Sequence, residues 1–198
     1  MSAYSIIEGT STELRRQIFE ALDSAPDTDF SLTDPASNIT LDAPGGDLSS
    51  QFVVSLYLYH IDQNRHLRNQ PPLRTGSDEL RRPPLPLQLR YLVTPLDSET
   101  NNHLMLGRIL QHCHDHPTID SIEGRPLDTS HGGASSEIRI RLESLTLEQL
   151  AQIWNAFNQP FRLATVLLVE AVVIDSALSP EKHAPVRDTY TVVQQRTG

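Results

Sequence analysis

Cysteine is nearly absent: Cys113 stands alone among 198 residues, which excludes an intramolecular disulfide and a multi-cysteine zinc site. Lysine is as scarce. Lys182 is the single lysine among 16 basic residues, against 25 acidic ones, and the formal net charge is −9. A nucleic-acid-binding chain shows a basic excess or a basic stripe; the composition offers neither, so no DNA or RNA partner is expected. Long apolar runs are missing too. The longest, ATVLLVEAVVI at 164–174, is interrupted by Glu170, whereas a bilayer-spanning helix needs about 18 or more apolar residues. The first residues, MSAYSIIEGTSTELRRQ, lack the basic-then-apolar order of a secretory signal, so folding in the cytoplasm is expected. The arginine excess suits protein interfaces, although codon usage in a GC-rich genome is the plainer account.

What is present reads as one α+β domain. Residues 3–23 carry a helical stripe of Ile6, Ile7, Leu14, Ile18, Ala21 and Leu22. Residues 24–50 are rich in Pro, Asp and Ser, apart from SNITL, a candidate edge strand. QFVVSLYLYHID (51–62) is strand-like with both faces apolar: Phe52, Val54, Leu56 and Leu58 on one, Val53, Tyr57, Tyr59 and Ile61 on the other. LPLQLRYLVTP (85–95) alternates as a half-buried strand, with Leu85, Leu87, Leu89, Tyr91 and Val93 on the buried side. Residues 98–116 form a second helix carrying Leu104, Leu106, Ile109, Leu110 and Cys113. SEIRIRLESL is a third alternating strand, with Ile138, Ile140 and Leu142 inward. TLEQLAQIWNAF is a helix opened by a capping pair, Thr146 and Gln149. RLATVLLVEAVVID is the last strand. The predicted fold is a mixed, mostly antiparallel sheet of about four strands flanked by helices, spanning 1–178, followed by an arm at 179–198.

The residues offer little catalytic chemistry. His112 and His116 in HCHDHP lie one helical turn apart and could share a metal ion. The alternative is a polar helix end, where protonated histidines interact well with the helix C-terminus. HGGAS at 131–135 imitates an esterase oxyanion loop, but no glycine-flanked nucleophile elbow accompanies Ser135. No phosphate-cradling loop and no marked acid/base pair is present. The expectation is a non-enzyme without cofactor or metal, a metal protein or hydrolase on these residues being the minor alternative.

Four segments together resemble the tail-terminator (cap) family of phage-tail-like contractile injection systems. They are VSLYLYHIDQNRHLRN (54–69), PPLPLQLRYLVTP (83–95), HLMLGRILQHCHDHP (103–117) and RLESLTLEQLAQIWNAFNQPFRLATVLLVEAVVID (141–175). Within them stand an apolar strand followed by Asp62, Asn64, Arg68 and Asn69; Arg90 to Thr94; Leu106-Gly107-Arg108 with His116-Pro117; and Trp154 with Pro160-Phe161-Arg162. The resemblance covers about residues 4–178 and departs from the family at the longer 118–135 loop. It implies a structural protein closing the baseplate-distal end of a tube and sheath as a hexameric ring, with tube and sheath proteins as partners. Cytoplasmic assembly into a particle that is released outside the cell follows. An adaptor that recruits cargo within the same particle is the alternative role.

Residues 56–69, LYLYHIDQNRHLRN, pass from apolar to charged with no glycine or proline before Pro71. In a ring subunit such a strand would bury one face on its own helices and extend its charged half to a neighbour. Tyr57, Tyr59, Asp62, Asn64, Arg65, Arg68 and Asn69 are therefore the candidate interface. The arm adds a β-prone stretch, Thr189, Tyr190, Thr191, Val192 and Val193, suited to docking as an added strand on sheath or tube.

Overall fold

Leu14, Ile18, Ala21 and Leu22 recur at helical spacing, and in the computed structural model they are fully buried on one face of a helix. The structure describes residues 3–45, 48, 51–74, 79–127 and 137–182. After a short 3-10 turn, Ala3–Ser5, come α1 (Ile6–Asp23), α2 (Pro35–Asn38), β1 (Ile39–Thr40), β2 (Val54–Gln63), β3 (Leu73–Arg74) and β4 (Glu79–Arg81). There follow β5 (Leu85–Pro95), α3 (Glu99–Asp115), β6 (Thr118–Ile119), β7 (Ser121–Ile122), β8 (Arg125–Pro126), β9 (Ile138–Glu143), α4 (Leu147–Ala156), β10 (Thr165–Ile174) and β11 (Glu181–Lys182).

The main sheet has six strands in the order β1-β2-β5-β10-β9-β6. β1 runs parallel to β2 and the other pairings are antiparallel, as the mixed-sheet expectation required. Its four long strands are the four the sequence shows; β1 and β6, two residues each, form the edges and pair only with Val54–Ser55 of β2 and Ile138–Arg139 of β9. The 118–135 stretch, expected to be a loop, contributes β6 and the β7–β8 hairpin, whose Ile119 and Ile122 are buried in the core. The proline-rich stretch before β5 likewise holds β3 and β4, which pair with each other, and β11 adds to β4.

Helices cover both faces. α1 and α3 lie on the inner face, where Leu14, Ile18, Leu56, Leu89, Tyr91, Ile109 and Leu167 form the main core. There the Tyr91 hydroxyl meets Ser11 Oγ at 2.8 Å, and burial pushes the phenol up to about 12. α4 lies on the outer face, where Trp154 is buried with Leu92 and Val166 and flanked by Tyr59, Leu150, Ile153 and Phe157. The Thr146–Gln149 capping box forms as expected, at 2.9 and 3.2 Å.

Three expectations change. β5 is not half-buried: it is a central strand, buried on both faces from Tyr91 to Pro95, with Leu92 covered by Trp154 of α4. Leu85, Leu104 and Leu142 are exposed, while Met105 takes the buried place next to Leu104. Ile61 does not share a face with Tyr57 and Tyr59. A β-bulge after Leu58 shifts the register, so that Leu58 opposes Tyr91 but His60 opposes Arg90 and Ile61 opposes Leu89. One extra residue inverts every side chain after it.

Trp154→Ala is expected to destabilise the protein by about 3–5 kcal/mol, because it empties the second core. Leu147→Ala, at a side chain 72% exposed, should change stability by under about 0.5 kcal/mol. Urea unfolding followed by circular dichroism checks both.

Candidate functional site

The bulge creates the candidate site. By turning His60 and Asp62 outward, it places them beside Arg90 on the half of the outer face that α4 leaves open. Arg90 donates from Nη1 to Asp62 Oδ2 at 2.6 Å and from Nε to Glu143 at 2.8 and 3.1 Å, clasping β2 and β9 from β5. Next to it, Gln88 donates to Glu170 at 2.7 Å and Arg141 pairs with Glu170 at 3.3 Å. A second bulge, between Val169 and Val172, lies on the other neighbour of β5, and Ala171 there takes a φ of +65°. The sheet bends on both sides of its central strand.

The electrostatics follow from this geometry. Partial burial alone pushes the Asp62 carboxyl up; the hydrogen bonds from Arg90 and His60 outweigh it and hold the group below its ordinary value. Arg90 loses hydration, yet Glu143 and Asp62 raise its pKa above the ordinary value. Burial, with Glu143 nearby, raises the Tyr59 phenol, which Arg90 partly opposes.

The structure distributes the expected interface residues among different roles. Tyr57 and Tyr59 pack under α4 and are half-buried there, Tyr57 edge-on to its C-cap Phe157 at 5.6 Å. Asp62 belongs to the Arg90 network. Asn64 is 6% exposed and builds a turn: its Oδ1 accepts from the His66 backbone at 3.0 Å, and its own N–H donates to Pro86 at 2.9 Å. The chain therefore turns at 65–69, before either proline, and the signal was the asparagine itself. Arg65, Arg68 and Asn69 are exposed on that turn. Thr189, Tyr190, Thr191, Val192 and Val193 lie outside the described residues, as does Ser135.

The catalytic alternatives gain little from the described residues. The His112 and His116 rings sit 4.7 Å apart, and among the described residues no group of three His, Cys, Asp or Glu side chains is placed to hold a metal. Burial, then His116 and Arg108, hold His112 below its ordinary pKa. Burial raises the Cys113 thiol to about 11, so it is protonated at neutral pH and a poor nucleophile. His60 contacts Asp62 at 3.0 Å, yet among the described residues no hydroxyl or thiol is hydrogen-bonded to it, so the pair has no nucleophile to activate.

Arg90→Met should destabilise the protein by about 1–2 kcal/mol at neutral pH, since it leaves two carboxylates without their shared donor. The pH dependence has a definite sign. Asp62 titrates lower folded than unfolded, so its contribution is present above about pH 4 and is lost as pH falls through the lowered value. The variant's stability should therefore fall less steeply on acidification, read by urea unfolding between pH 3 and about 7.

No curated protein matches the chain. Two cryo-EM structures share its fold. One is the sheath/tube terminator of the extracellular contractile injection system PVC in the extended state, at TM-score 0.56 and 16% identity over 91% of this chain and 63% of that one. The other is the tube-terminating cap of the anti-feeding prophage, at TM-score 0.58 and 18% identity over 92% of this chain and 61% of that one. The chain thus spans about three fifths of the length of each. Residues 9–188 match the Pvc16 N-terminal domain, and the protein belongs to that family.

Proposed function

We propose that this protein is a structural cap that closes the baseplate-distal end of the tube and sheath of a contractile injection system, as a hexameric ring. The observation that carries the reading is the family match over residues 9–188, joined to a fold shared with a sheath/tube terminator and a tube cap. The chemistry of the described surface agrees with it. The open outer face is a lattice of ion pairs that ties the long strands to one another. Such a body suits a structural, binding role. Its partners are further copies of itself and the last rings of tube and sheath. It assembles in the cytoplasm and leaves with the particle. Arg65, Arg68 and Asn69, exposed on the turn after β2, are rim contacts to a neighbouring subunit, and residues 189–193 dock on sheath or tube.

Particles produced without this chain are expected to have open, unstable ends and irregular lengths, scored by negative-stain microscopy. Restoring the full chain should return uniform, closed particles. Uniform and intact particles in its absence would overturn the cap reading. A gold-labelled chain found inside the tube or at the baseplate would make it an adaptor instead.

A further inference from the structure

Charge is segregated along this sequence. No Lys or Arg occurs between Arg16 and Arg65, a stretch with eight acidic residues, whereas residues 65–90 carry six arginines and two acids. The fold carries part of this segregation into space: antiparallel β2 and β5 place the chain before Val54 and the chain after Gln63 at opposite ends of the sheet, while Asp62 pairs with Arg90.

At the end where β2 finishes and β5 begins, Arg65 and Arg68 sit on the turn and Arg81 and Arg82 precede β5. Two adjoining clefts of about 480 and 500 Å³ open there and share Arg82 and Pro83. Their walls include Arg68, Pro83, the half-exposed Leu85, and one acid in each cleft, Asp175 and Glu181. Among the described residues, Arg68 and Arg82 form no ion pair.

The other end is its counterpart. Leu96 and Asn38 both bond to the backbone of Val53, which brings Asp34, the α2 cap, to the same end as Asp97 and Glu99. The loop before β10 adds Phe161, 51% exposed, and Leu163, 46% exposed, with Arg162 between them and Asp97 and Glu99 alongside. Phe161 rests one side of its ring on Trp154, centroids 6.3 Å apart, and leaves the other open beside these acids, the kind of half-open aromatic that anchors a contact. The basic, proline-walled cleft at the opposite end has the matching chemistry.

We propose that the two ends are the halves of one head-to-tail contact between copies of this chain. Phe161 and Leu163 of one copy seat against Pro83 and Leu85 of the next; Glu99 faces Arg82 and Arg68, and Arg162 faces Asp175. A contact between two different patches is heterologous, and repeated with closure it builds a ring. The proposal rests on the ring reading given above and names its interface.

The test uses two full-length variants, Arg82→Glu and Glu99→Arg, with mass measured by light scattering and folding by thermal melt. Each alone opposes like charges across the contact, so each should stay monomeric while still melting in one cooperative transition. Mixed in equal amounts they should assemble to the wild-type mass. The reversed cleft of one then accepts the reversed tip of the other, and the unaltered cleft and tip pair as in the wild type. Assembly of either variant by itself, or a mixture that stays monomeric, overturns the proposal. So does a wild-type chain that stays monomeric at every concentration; if that chain still binds tube ends, the cap reading survives and only this contact is lost. If Arg82→Glu keeps its mass but loses retention on a polyanion such as heparin, the basic end serves an anionic partner and the self-contact is wrong.

Discussion

The apolar surface of β5 stops between Leu92 and Arg90, and the organisation of the outer face depends on that boundary. On one side, Leu92 lies beneath Trp154 and holds α4 to the sheet. On the other, Arg90 needs carboxylates within reach, and it finds them on β2 and β9 only because β2 gains a residue after Leu58. A buried or half-buried guanidinium without partners costs far more than the hydrogen bonds it forms can return, so the bulge and the ion pairs are one structural decision. The same boundary explains why β2 passes from apolar to charged with no break. Its first half faces α4 and its second half faces the ion-pair lattice.

This arrangement gives the protein two distinct kinds of surface. The outer face between β2 and β9 is polar but internally satisfied, with Asp62, Glu143 and Glu170 each held by an arginine of the same chain. A satisfied lattice contributes stiffness and offers little to a partner. The ends of the sheet are different: exposed arginines on one, and exposed Phe161 and Leu163 beside acids on the other. Binding energy concentrates where aromatic and arginine side chains are open and unpaired, which directs attention away from the strand face and toward the strand ends.

Much of this was legible in the sequence, for identifiable reasons. The long strands and helices carry clear periodicity, and the Thr146–Gln149 cap is a local signal read without tertiary information. The short strands β6 to β8 escaped because two-residue elements have no period to detect. The local geometry of the β2 segment escaped for separate reasons. A bulge leaves no mark in an alternating pattern, so Ile61 was assigned to the wrong face. Asn64 looks like any polar residue, although its side chain closes a turn on the backbone of His66. Nor does sequence reveal that α4 folds back over Tyr57 and Tyr59, since that cover comes from nearly a hundred residues away. The net charge of −9 also concealed a basic end, because an average over the chain cancels segregated charge.

The measurement that bears most directly on the central claim is cryo-EM of the ends of particles that incorporate this chain. The account predicts one ring of six copies at the end opposite the baseplate, in contact with both tube and sheath. Density for the chain along the tube, at the baseplate, or at no fixed position would contradict it.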